Sequence, residues 1–257
     1  MTTRKQSIQT RLIATLLLML SAGTAIVRAQ TCDSTEVEPA FRASQLVLPS
    51  AMIAVGAFGV DNGWFCRLKN DLRGDFNDLR GDHRMHGDNV LRFLPAAAHV
   101  GLGLAGVESR HPLRERIAVS ATAFAAVGVL VGATKRVVSE KRPDASNSKS
   151  FPSGHTAIAF MGAELVREEY GNAYGTGAYA VATAIAFMRL YNDQHWLNDV
   201  IGGAGFGLLS ARVGYWLLPW ERRLLGWDKR KDGPTVAILP AYQTEFRAPM
   251  LCIAASW

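Results

Sequence analysis

Between Lys135 and Asp199 the sequence places three short polar blocks in an otherwise largely apolar chain, and only a fold that gathers them at one point makes sense of their composition. The first block runs from Lys135 to Arg142-Pro143, the second is Pro152-Ser153-Gly154-His155, and the third runs from Arg189 through His195 to Asp199. A phosphate dianion asks for fixed positive charge and planar paired donors. Arg142 and Arg189 offer these, with Lys135 as a more mobile point charge. Pro152-Ser153-Gly154 reads as a turn into a helix that starts near His155. With Ser153 as its cap, the free N–H groups and the positive end of the dipole can face an anion. His195 and Asp199 stand four apart, so on a helix they share a face and the carboxylate can hold the far N–H of the imidazole. A histidine with its other nitrogen free can attack phosphorus, while a second one, His155, protonates the leaving oxygen. These parts suffice for phosphoryl transfer without a metal. Singly, each residue has an ordinary reading as a snorkelling cation or a satisfied core histidine. The order and spacing together do not follow from packing.

The pattern K-x6-RP, PSGH, R-x5-H-x3-D resembles the signature of the type 2 phosphatidic acid phosphatase (PAP2) superfamily, which includes lipid phosphate phosphatases, bacterial class A acid phosphatases and vanadium-dependent haloperoxidases. All ten fixed positions are matched in order. One departure is Met188, where the third block often has serine before Arg189. The blocks cover about a quarter of the chain. The resemblance implies an all-α, six-helix-core bundle, with His195 as nucleophile, Asp199 orienting it and His155 as general acid. It also implies a phosphate cradle of Lys135, Arg142, Ser153, Gly154 and Arg189, with no metal and no cofactor.

The chain has 257 residues and a net charge of +6, enough for one sizeable helical domain and suited to anionic lipid surfaces or phosphorylated substrates. No run of interleaved basic and aromatic residues exists to stack bases, which argues against nucleic acid as a partner. Arg4, Lys5 and Arg11 precede the apolar run Leu12 to Val27, so residues 1–29 read as a signal peptide or signal anchor. Cys32 lacks a lipidation box, and three cysteines (Cys32, Cys66, Cys252) leave one unpaired in any scheme.

Residues 30–89 form an N-terminal segment, 90–218 the catalytic bundle and 219–257 a basic tail with room for two short strands. Leu46 to Val60 is apolar but broken by Pro49 and short for a membrane span, so it is expected to lie in the interface or on the bundle. A tandem heptad follows, Asn70 to Phe76 and Asn77 to His83. As a surface helix it would align Leu68, Leu72, Phe76, Leu79 and His83 in one stripe, weakened by Gly74 and Gly81. Asp82, His83, His86 and Asp88 could be read as a metal site, although such clusters arise often by chance. Val90 to Val107, Ile117 to Thr134, His155 to Val166, Gly175 to Leu190 and Leu197 to Leu218 carry the apolar periodicity of bundle helices. Gly203 and Gly207, four apart, allow close helix contact.

The leading expectation is a phosphatase of a membrane lipid (lipid A-type, isoprenyl or phosphatidyl phosphate) in the bacterial inner membrane. With Leu46 to Val60 not crossing, parity and the basic loop Arg110, Arg114, Arg116 place the cradle at the periplasmic face. The alternative is a soluble periplasmic acid phosphatase acting on small esters, favoured by Glu164 and a mean hydropathy of only +0.07. A haloperoxidase is disfavoured because those chains are usually longer. A non-catalytic lipid-binding protein is disfavoured because both histidines are present.

Overall fold

The computed structural model describes residues 41–227 with their side chains, and the backbone of two strands, Thr235–Gln243 (β1) and Ala248–Ser256 (β2). The leader expected at residues 1–29, and Cys32, lie outside the described residues. By internal contacts the chain divides between Leu218 and Pro219.

The first unit is helical: α1 (Ser44–Asp61), α2 (Gly63–Arg80), α3 (Asp88–Leu91), α4 (Leu94–Leu104), α5 (Leu113–Val137), α6 (Gly154–Tyr170), α7 (Asn172–Tyr191) and α8 (Leu197–Leu224), the last running past the boundary. Local sequence explains the ends. The Asn62 side chain accepts hydrogen bonds from the backbone N–H groups of Trp64 and Phe65 and starts α2. Gly81, at φ +53°, stops it. Pro95 sits in the first turn of α4, where no N–H is required.

The core forms where glycines let backbones approach. A Cβ added at Gly203 would stand 2.6 Å from the Ser153 carbonyl oxygen, and Gly207 lies equally hard against the Ala157–Met161 turn of α6. The close contact expected from Gly203 and Gly207 is therefore made, and made with α6. On another face of α8, Gly202 meets Gly56 and Gly205 meets Pro49 of α1. Gln45 accepts from the Trp216 indole N–H at 2.9 Å, while Gly59 abuts Asn198. α1 thus runs antiparallel to α8 along the whole stretch from Asn198 to Trp216, ~27 Å at the helical rise.

This decides the reading of Leu46 to Val60. Of its two expected placements the structure has the second, on the bundle, where α1 packs along α8 through Pro49, Gly56 and Gly59 and makes six helices with α4, α5, α6, α7 and α8; what is corrected is its length. α1 and α5 are long and apolar enough to cross a membrane, with mean hydropathies of 1.3 and 2.0. A second correction concerns Val90 to Val107. It is not one helix: α3 and the turn after it break it, and α4 spans only 11 residues, ~16 Å. His155 to Val166 erred the other way, since α6 has 17 residues.

The helices alternate. The C-terminus of α1, the N-terminus of α4, the C-terminus of α5, the N-terminus of α6, the C-terminus of α7 and the N-terminus of α8 meet at one end, where the three polar blocks lie. At the other end Arg116 of α5 donates to the Tyr170 hydroxyl of α6, and the same oxygen accepts from the Gly103 N–H of α4 at 3.0 Å. His111 is bonded there to Glu169, N to Oε1 at 2.6 Å and Nδ1 to Oε2 at 2.9 Å. Three passes (α1, α4, α5) precede Lys135 and three (α6, α7, α8) follow the second block.

In the second unit β1 and β2 pair antiparallel, from Thr235 opposite Ser256 to Gln243 opposite Ala248, so the tail holds the two strands for which its composition left room. Among the described residues Cys66 is a free thiol.

Candidate active site

α5 delivers Lys135 in its last turn, where the ammonium group donates to the carbonyls of Lys149 (2.7 Å) and Ser150 (3.0 Å). The chain then loops outward and returns. Ser150 N–H donates to the Glu140 carbonyl at 2.9 Å, and Arg142 N–H to the Asn147 carbonyl at 2.9 Å. Phe151, almost fully buried against Gly202, anchors the return. Ser153 caps α6 as the sequence predicts. Its hydroxyl oxygen accepts from Thr156 N–H (3.5 Å) and from the Thr156 hydroxyl (3.0 Å), while its own N–H donates to the Asp199 carbonyl at 3.0 Å. Gly154 and His155 follow as the first two helical residues, whose N–H groups have no carbonyl one turn back within the helix.

His195 and Asp199 are both buried, with Nδ1 and Oδ2 3.1 Å apart. The same Oδ2 accepts from Trp196 N–H at 2.8 Å and, in a very short bond, from the Ser150 hydroxyl. The hydrogen bonds of the His195 ring among the described residues are at Nδ1, and Nε2 makes none of them. Burial first, then the charges of Arg189, Arg142 and Lys135, holds the imidazole well below its ordinary pKa, so it is neutral near pH 7.

The predicted cations are drawn together, and each lies within electrostatic reach of His195. Arg142 and Arg189 each keep a buried Nε without a hydrogen-bond partner. A buried guanidinium donor without an acceptor is costly unless a ligand oxygen supplies one. His155 is placed by residues the sequence reading did not single out. Its Nε2 is 2.7 Å from Asn89 Oδ1, and Arg92 lies across the ring at 3.1 and 3.3 Å from the two nitrogens.

Asp88 is corrected in role. It belonged to the candidate metal cluster, but its carboxylate pairs closely with Arg189. Among the described residues no group of three or more His, Cys, Asp or Glu could hold a metal ion.

α2 is also more than a surface helix. Phe65, Lys69 and Phe76 are buried, with Leu68 and Leu72 packed beside them, whereas Leu79 is 49% exposed and His83 lies beyond the helix. The buried face brings Lys69 and Arg73 to the rim of the site. Both lie over the Trp196 ring, at 5.3 and 5.6 Å, and Arg73 makes a two-bond pair with Asp193 (2.7 and 2.9 Å). Nothing in the three blocks signals these contacts. The tandem heptad was the one visible hint.

Comparison with known proteins agrees with the blocks. Residues 116–223 match the PAP2 superfamily. A lipid A 1-phosphatase of Porphyromonas gingivalis is 37% identical over 134 residues, which is 51% of this chain and 30% of that protein, so the chain matches less than a third of the relative's length. A crystal structure of a transmembrane PAP2-type phosphatidylglycerolphosphate phosphatase from Bacillus subtilis aligns over 86% of this chain and 98% of its own, with a TM-score of 0.38 and 19% identity.

Proposed function

From the match of residues 116–223 to the PAP2 superfamily we propose that the protein is a metal-independent phosphatase that removes a phosphate monoester from a membrane lipid. The observation that carries this reading is the convergence of three cations, Lys135, Arg142 and Arg189, on a neutral, Asp199-held His195. In the first half-reaction Nε2 of His195 attacks phosphorus. The N–P bond forms as the P–O bond to the lipid breaks, and His155 gives its proton to the departing oxygen. In the second, His155 takes a proton from water, which attacks the phosphohistidine and releases inorganic phosphate. Lys135, Arg142, Arg189 and the first N–H groups of α6 hold the equatorial oxygens as charge builds on them. Burial first, then the charges of Arg189 and Arg92, disfavour protonation of His155 in the free site, and an entering phosphate dianion offsets those charges.

A lipid substrate is supported by large apolar side chains that are exposed on two helices among the described residues. Val129 and Val137 on α5 are 69% and 85% exposed, and Val47 and Phe58 on α1 are 67% and 61% exposed. Glu164, which had favoured a soluble enzyme, is fully buried between Arg167, Arg212 and Tyr179 and presents no charge to lipid. The similarity to a lipid A 1-phosphatase makes a glycolipid phosphate the first substrate to assay, with isoprenyl and phosphatidyl phosphates beside it.

The test is phosphate release from such lipids in EDTA. Turnover should persist in chelator, stop with vanadate, which mimics five-coordinate phosphorus, and vanish in His195→Ala. Ordinary activity in His195→Ala would rule out the phosphohistidine.

A further inference from the structure

Asp199 sits in a frame whose members converge on one carboxylate, Glu140, inside the first block but at a variable position of its pattern. Glu140 Oε2 accepts from Asn198 Nδ2 at 2.9 Å, so it holds the residue next to Asp199. Its carbonyl accepts from the Ser150 N–H at 2.9 Å, so it also holds the residue whose hydroxyl donates to Asp199. Its other oxygen meets Lys69 Nζ of α2 at 2.5 Å. Lys69 in turn donates to the last carbonyls of α1, Gly59 at 3.1 Å and Val60 at 3.2 Å. Both side chains of the pair are 7% exposed. A buried ion pair is weak grounds for stability, because desolvation cancels most of the attraction. Its placement against the nucleophile's partner calls for another reading.

We infer that Lys69 and Glu140 are positioning residues for the reaction, holding the frame of Asp199 through Ser150 and Asn198 while the Lys69 ammonium opposes the sharing of a proton between two neighbouring buried carboxylates. This inference rests on the phosphatase reading above.

Two carboxylates this close cannot both stay ionised without a cation. Glu140 and Asp199 lie within electrostatic reach of one another, and Asp199 Oδ1 is buried without a hydrogen-bond partner. Burial and the charge of Asp199 hold Glu140 up at about 7 even with Lys69 present. The surrounding charges divide clearly. α2 brings Lys69 and Arg73, the latter committed to Asp193. α5 and its loop bring Lys135, Arg142 and Asp144, α7 brings Arg189, committed to Asp88, and His155 and His195 come from α6 and the loop before α8. α1 supplies only carbonyls at this point. Lys69 is therefore the cation bonded to Glu140. If it were lost, one of the carboxylates would take up a proton at a higher pH than before. A protonated Asp199 no longer orients His195 as a neutral base with its Nε2 free.

The test is a pH profile of kcat and KM, on a lipid phosphate and on nitrophenyl phosphate, for wild type, Lys69→Met, Lys69→Arg, Glu140→Gln and the Lys69→Met/Glu140→Gln double variant. In Lys69→Met the acid limb of kcat should move up by a pH unit or more, with KM changed less than about threefold. Lys69→Arg should stay near wild type, and the double variant should return the limb to within a few tenths of a unit. An unmoved limb in an active Lys69→Met, or an equal loss at every pH that the double variant does not reverse, overturns the inference. Where Lys69→Met fails to fold, the double variant should fold with kcat within tenfold of wild type, and a folded double variant a thousandfold slower counts against it. Wild type inactive on every phosphate ester would sink the phosphatase reading alone. The pair would then be judged by the pH at which vanadate stops raising the unfolding temperature, expected higher in Lys69→Met than in wild type and fatal to the inference if unchanged.

Discussion

Asp199 is a buried carboxylate whose function is to hold one ring, and its three donors come from Trp196 N–H, the Ser150 hydroxyl and His195 itself. Replacing it with asparagine keeps the shape and reverses the polarity of one bond, so Asp199→Asn should lower kcat by up to about four decades with the fold intact. His155→Ala should slow alkyl phosphates far more than nitrophenyl phosphate, because only the former need a proton on the leaving oxygen. Equal losses on both would remove His155 from the acid role. Stability carries its own sign. The depressed His195 binds fewer protons folded than unfolded, so its contribution is lost as pH falls through 6.5 and below. Glu140 binds more protons folded, with a pKa of about 7 against an ordinary 4.5, so its contribution falls as pH rises from about 4.5 to 7. The two slopes oppose between pH 5 and 7. In Glu140→Gln the unfolding temperature should therefore climb more steeply with pH over that window than in wild type, and a parallel curve would argue against a raised Glu140.

Among the elements, α8 carries the closest contacts. Gly207→Ala would drive a methyl into the Ala157–Met161 backbone, which cannot move without shifting the cap at Ser153. A loss of about 1–3 kcal/mol in stability is expected, accompanied by reduced turnover as α6 is displaced. Gly74→Ala has open space around it on exposed helix and should stabilise by roughly 0.5–1 kcal/mol. Unfolding midpoints of the two variants should move in opposite directions. The long helices were legible in the sequence because apolar runs of the right length end in polar blocks of fixed spacing, and Ser153 was legible as a cap because it precedes Gly154 at a turn. Three features were hidden for physical reasons. Pro49 and two glycines made α1 read as too broken and short, although those same residues are where α8 approaches it. Asp88 looked like a metal ligand because Asp82, His83 and His86 stand just before it in sequence, while its partner Arg189 lies 101 residues away. Lys69 drew no notice in the sequence because its acceptors are backbone carbonyls and a loop carboxylate, neither of which leaves a periodic trace.

At the scale of the molecule, the antiparallel run of α1 beside α8 changes the count that decides which way the cradle faces. Gly59 lies at the level of Asn198 and Gln45 at that of Trp216, so if α8 crosses the bilayer, α1 crosses with it. Ser44, the loop with Arg110 and Arg114, the turn at Gly171 and Leu218 then share one side, and the three polar blocks share the other. We propose that the cradle faces the periplasm, which puts that basic loop in the cytoplasm in keeping with the preference of positive charge for that side. It also leaves Ser44 cytoplasmic, which the run Leu12 to Val27 acting as an exported leader would not allow. Cysteines decide between the two. With Cys32, Cys66 and Cys252 replaced by serine, Ser146→Cys in the cradle loop should react with an impermeant maleimide added to spheroplasts, while Ser109→Cys should react only after the membrane is opened. The reverse pattern would put the cradle in the cytoplasm. Labelling of both from outside would show that the six helices do not cross at all, and with that the soluble acid phosphatase would become the better account of the same site.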